Sequence, residues 1–187
     1  GLGLATAGIA ITLLSNIEKG ILPIVTSVES LAYYSVAFTL ASMMLLFSTA
    51  MIQSLVPAFS QLQGSKNKSL HENLYSRGIR LTLIWLIPAI TCLFLLGKPF
   101  FTIWAGEDFG NQSTVPFYIL LIGLFFNIPA YLPYAALMAG GRTDIFTKLY
   151  LAEFVPFLAA VILLTGYFGA VGAAAAWSGR MLVDAVL

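Results

Sequence analysis

Charge is what this sequence has least of. Asp, Glu, Lys and Arg make up 9% of its 187 residues, against about 25% in an average soluble domain. A water-solvated surface cannot be built from so few. Cysteine is nearly absent as well. Cys92 stands alone, which excludes a disulfide within the chain, and its setting among Thr91, Leu93 and Phe94 predicts a small packing residue. One histidine, His71, leaves no Cys/His cluster for a metal. A net charge of +1 suggests no nucleic-acid partner. The first apolar stretch has no basic segment before it and is followed by others, which argues against a cleavable signal peptide. Walker loops, GxSxG and HExxH are missing too, so no enzyme, cofactor or metal function is expected.

What is present is apolar. Hydrophobic residues are 59% of the chain, gathered in long runs with short polar breaks. A helix needs about 20 such residues to cross a ~30 Å hydrocarbon layer. Six runs qualify: 2–25, 31–62, 79–97, 115–138, 145–166 and 170–187. Alternating ten-residue barrel strands are excluded. The expectation is an all-α, polytopic membrane helix bundle of about six transmembrane helices. The start at Gly1 and the end inside an apolar run suggest one half of a larger protein.

The breaks alternate in charge. The second holds Lys66, Lys68, Arg77 and Arg80 against Glu72, and the fourth holds Arg142 and Lys148 against Asp144. The first has Glu29, and the third has Glu107 and Asp108, with Lys98 dissenting nearby. The positive-inside rule puts the basic breaks and both chain ends in the cytoplasm. Ser69 with Glu72 reads as a capping box opening a short amphipathic helix into the third span. Phe100, Phe101 and Trp104 suggest a short interfacial helix or re-entrant stretch on the outer face.

Charges within spans are the functional candidates, because a charge at the bilayer centre costs roughly 3 kcal/mol on insertion scales. Glu18 and Lys19 sit near Asn16 in the first run and point about 100° apart, so each needs another partner or water. Glu153 lies in the fifth run. Arg180 and Asp184 are four apart in the sixth and can pair. Pro129 and Pro133 flank the centre of the fourth run beside Asn127 and predict a bend. The small-residue run Gly169-Ala-Val-Gly-Ala-Ala-Ala-Ala predicts close helix packing.

Seven stretches then match a known pattern in order. They are Asn16-Ile-Glu-Lys, Ser30-Leu-Ala-Tyr-Tyr-Ser, Leu55-Val-Pro-Ala-Phe-Ser, Leu74-Tyr-Ser-Arg-Gly-Ile-Arg, Phe101-Thr-Ile-Trp-Ala-Gly-Glu-Asp-Phe, Gly140-Gly-Arg-Thr-Asp with Glu153, and Gly169 through Trp177-Ser-Gly-Arg to Asp184. Ala32 stands where glycine is usual, and Ala105 where leucine is. The chain resembles the second half of bacterial polysaccharide (O-antigen-type) flippases of the MOP exporter superfamily, relatives of the MATE antiporters.

The resemblance implies that residues 1–187 are one six-helix lobe of a MATE-like two-lobed transporter, completed by a missing N-terminal lobe. It implies a cargo, an undecaprenyl-pyrophosphate-linked oligosaccharide, moved across the bacterial inner membrane by alternating access. Lys19 and Arg180, then Arg80, Arg142 and Asn127, are the candidates to face that cargo. Glu18, Glu153 and Asp184 are candidates for H+ or Na+ coupling. Two alternatives stand beside it. A MATE-type drug or cation antiporter wants acidic groups and little fixed positive charge in its cavity. A non-transporting membrane scaffold fragment needs no cavity.

Overall fold

In a computed structural model the described residues are 17–62, 68–141 and 143–186. They form seven helices: α1 (Ile17–Val25), α2 (Val28–Ser42), α3 (Met44–Leu62), α4 (Lys68–Ala105), α5 (Glu107–Gln112), α6 (Thr114–Ala139) and α7 (Thr143–Val186). Four stretches are long and apolar enough to cross a membrane: Val28–Leu62, Ser69–Ala105, Thr114–Ala139 and Lys148–Val186. The chain is thus an all-α, multi-pass membrane bundle, as its apolar runs require.

The last stretch contains two of the expected spans. Gly169 interrupts α7 with φ 57° and ψ −131°, the angles of the first central residue of a type II′ turn, where glycine dominates. The two arms fold back on each other. Arg180 pairs with Glu153, 27 positions earlier, which a straight helix would hold about 40 Å away. Phe157 and Val161 pack with Ala176. Close to the turn the arms touch backbone to backbone, because a Cβ on Gly172 would strike the Leu164 carbonyl. We therefore expect Gly172→Leu to disrupt the hairpin. Overpacking typically costs about 1–3 kcal/mol, and here the obstruction is main chain. A sharp loss of folded protein in detergent fluorescence chromatography, with Gly179→Leu as the control facing open space, checks this.

Neighbouring passes run up and down. Glu18, nine residues before Ser27, meets Tyr34, seven residues after it, so α1 and α2 fold back on each other as an antiparallel pair. Phe47 stacks on Trp85 while the Thr82 hydroxyl meets the Met51 sulfur, so α3 and α4 are antiparallel. Phe94 stacks on Tyr118 near one end, and Gly78 faces Leu132 towards the other. Ser178 donates to the Ile119 carbonyl and Asn127 to that of Met181, which makes α6 parallel to the second arm of α7. The α1–α2 turn, α5 and the α7 turn consequently share one end of the bundle. There Glu29, Gln112 and Gly169 line a common cleft. Phe59, His71 and Ala136 line another at the opposite end.

The core gathers on α6. Phe117, Leu120, Leu121, Leu124 and Ile128 are fully buried, joined by Tyr34, Ala37, Leu86, Phe101 and Ala173. Leu81, Ile84, Leu95, Ile103 and Val155 face outward, as suits a surface bathed in lipid rather than water.

Three local expectations change. The aromatic stretch after Pro99 is neither a separate helix nor re-entrant, because α4 continues through it to Ala105. Phe101 explains this, being fully buried edge-on against Phe117. Phe100 and Trp104 remain outside, stacked on each other. The basic stretch from Lys68 is likewise one helix with the span that follows it. Cys92 is exposed on the outer face of α4 rather than packed inside. Pro129 and Pro133 both lie within α6, which is assigned as one helix throughout. Of the first predicted run, only residues 17–25 are described.

Candidate functional site: a buried charge centre

Five of the sequence candidates converge where α1, α2 and the two arms of α7 meet. Glu18 lies nine residues before the α1–α2 turn at Ser27, and Arg180 eleven after Gly169. At 1.5 Å per residue both sit roughly 13–17 Å from that end, near the middle of a hydrocarbon layer ~30 Å thick.

Glu18 is fully buried. Its Oε1 accepts a hydrogen bond from the Tyr34 hydroxyl at 3.3 Å. Its Oε2 has no hydrogen-bond partner among the described residues. Lys19 points elsewhere, as the 100° step between neighbours requires. Its Nζ sits 4.0 Å from the centre of the Phe38 ring, a cation–π distance. Phe38 in turn meets Trp177 edge to face at 5.3 Å. Lys19 is half-buried, its ammonium resting on Phe38 of α2.

The second half of the centre is an ion-pair triad. Arg180 Nε lies 3.5 Å from Glu153 Oε2, and its Nη2 lies 3.5 Å from Asp184 Oδ2. The guanidinium lies over Phe157 and Tyr150, with centroids 5.5 and 5.9 Å away. Arg180 and Glu153 are about 90% buried. The pairing of Arg180 with Asp184 follows from their four-residue spacing. That with Glu153 does not, because it depends on the Gly169 turn. Tyr34, Phe38, Tyr150 and Trp177 were also missed: as single aromatics in apolar runs they carry no sequence signal of a polar partner.

Asn127 is buried on α6, with Nδ2 3.5 Å from the Met181 carbonyl, and it ties α6 to the second arm beside Arg180. Its Oδ1 has no partner among the described residues. Arg80 does not join the centre. It is exposed on α4 with Tyr75, Ile84 and Pro88 along an open cavity of about 740 Å³. Arg142, like Asn16, lies outside the described residues. No three His, Cys, Asp or Glu side chains converge to hold a metal among the described residues.

Three carboxylates therefore surround two cations at mid-membrane depth. Ionisable groups inside apolar helices are expensive in lipid, which makes this cluster the functional-site candidate. Residues 1–114 match the family described as polysaccharide biosynthesis protein. The chain belongs to this family. Within the same lineage of similarity, a Shigella flexneri protein provisionally named an O-antigen transporter is 28% identical over 170 residues. That match covers 91% of this chain and 40% of the relative, so the chain spans about two fifths of that protein's length. No solved structure matches. The family match takes in Glu18, Lys19 and Tyr34, whereas Glu153, Arg180 and Asp184 lie beyond it.

Proposed function

We propose that this chain is one lobe of a bacterial inner-membrane transporter that flips a lipid-linked oligosaccharide, carried on undecaprenyl pyrophosphate, by alternating access. The observation that carries the reading is the buried centre of Glu18, Lys19, Glu153, Arg180 and Asp184 in a chain of the polysaccharide biosynthesis family. Lys19 supplies positive charge for a pyrophosphate, its ammonium held against the Phe38 ring. Arg180 is more deeply committed, to two carboxylates, and releases toward cargo only if one of them is neutralised. Proton uptake on Glu153 or Asp184 does that, and so couples ion movement to cargo. Glu18, with one oxygen unpartnered among the described residues, is the second coupling candidate.

The MATE-type antiporter reading is weakened by the same centre. Lys19 and Arg180 place two fixed cations where a cationic drug would sit. A transporter of either kind is no enzyme in itself. The orientation, with both chain ends cytoplasmic, rests on loop charge: Glu29, Glu107 and Asp108 at one end, Arg77 and Arg80 at the other. In a Cys92→Ser background of the full-length protein, Glu107→Cys should react with an impermeant maleimide added to cells whose outer membrane is permeabilised. Arg77→Cys should react only after lysis. The opposite pattern inverts the proposed orientation.

A further inference from the structure

We propose that the cleft shared by the α1–α2 turn, α5 and the α7 turn binds hydroxyl-rich sugar units. This rests on the transport reading, since that end is where the exported glycan would emerge. The cleft has a volume of about 340 Å³ and is lined by Glu29, Ser30, Tyr33, Gln112, Phe168 and Gly169. That volume is at the lower end of small-molecule sites, enough for a short stretch of glycan rather than a whole repeat.

The residue types fit sugar chemistry. A pyranose offers hydroxyls around its rim and a flat C–H face, so it is held by paired donors and acceptors beside an open aromatic ring. Glu29 Oε1 accepts a hydrogen bond from the Tyr33 hydroxyl at 2.9 Å, which fixes the carboxylate. Gln112 is exposed and brings both a donor and an acceptor. Phe168 is 63% exposed. The Tyr33 ring meets Phe109 edge to face at 4.9 Å, a geometry that leaves ring surface uncovered. Gly169 turns the chain here at a positive φ and, as glycine, lines the cleft with backbone alone. An aromatic that only anchors the helix end in the interface has no need of a fixed carboxylate and an amide beside it.

The test uses full-length protein in nanodiscs. The probe is the oligosaccharide repeat of the host's surface polysaccharide, released from its lipid and so lacking any pyrophosphate. Saturation-transfer NMR should show magnetisation passing to the sugar ring protons. Gln112→Ala and Phe168→Ala should each weaken binding about five- to tenfold, as expected for one lost polar or ring contact. Gln112 lies exposed on a short helix, so its variant keeps the test independent of folding. Export of the lipid-linked parent is measured in parallel. Export by the wild type with no saturation transfer, or with equal transfer in both variants, overturns the cleft and leaves the transport reading standing. Transfer that both variants lose, in a protein that exports no glycan, supports the cleft and overturns the transport reading.

Discussion

Arg180→Met should destabilise the protein by about 3–5 kcal/mol, the usual cost of stranding a buried charge by deleting its partner. Arg180 is the cation bonded to both Glu153 and Asp184, and all three side chains are at least 86% buried. Removing it leaves two carboxylates facing each other in a lipid-bathed hairpin. Met keeps most of the packing over Phe157 and Tyr150, so the loss reports charge rather than volume. Adding Glu153→Gln and Asp184→Asn should restore most of the stability, because no charge then remains unpaired. Thermal unfolding of the purified full-length protein in detergent reads both. A single variant as stable as the wild type, or a triple variant no better than the single, would mean the triad does not hold the α7 hairpin.

Lys19→Ala should act in the opposite way, on function and not on folding. The ammonium is half-buried on an aromatic face, so its removal leaves Phe38 packed against Trp177. Membrane insertion and thermal stability should stay near wild type. Glycan export should fall about 10- to 100-fold, the worth of one charge-assisted contact of roughly 1.5–3 kcal/mol, and Lys19→Arg should recover most of it. Surface polysaccharide display in a strain lacking its own exporter, complemented by each variant, makes the comparison. Undiminished display in Lys19→Ala removes this residue from the cargo path.

Which of these features could be read without coordinates depends on how local their cause is. Span positions are local. An apolar run of bilayer length has few alternatives to a membrane helix, so 31–62 and 115–138 reappear as Val28–Leu62 and Thr114–Ala139. The turn at Gly169 is local as well, visible as the gap between two runs. The Arg180–Asp184 pair follows from helical spacing alone.

Partners across helices are not local. Nothing near Glu18 announces Tyr34, and nothing near Arg180 announces Glu153, because both contacts exist only after the helices pack. The same cause accounts for the misreadings. Phe101 looks like an interfacial aromatic until Phe117 covers it, and Cys92 looks like a packing residue until its face of α4 proves to be the outward one. Arg80 and Arg180 are equally basic in sequence; only the fold separates the exposed one from the buried one.

The most direct measurement is translocation itself. Full-length protein is reconstituted into proteoliposomes holding an undecaprenyl-pyrophosphate-linked oligosaccharide in the inner leaflet, and a lectin outside reports the arrival of sugar. The account predicts that sugar becomes accessible when a proton gradient is imposed, that Lys19→Ala cuts the response about 10- to 100-fold, and that Glu153→Gln removes its dependence on the gradient. Vesicles that leave the oligosaccharide inside under every gradient, yet expel an organic cation, would contradict it and favour the antiporter.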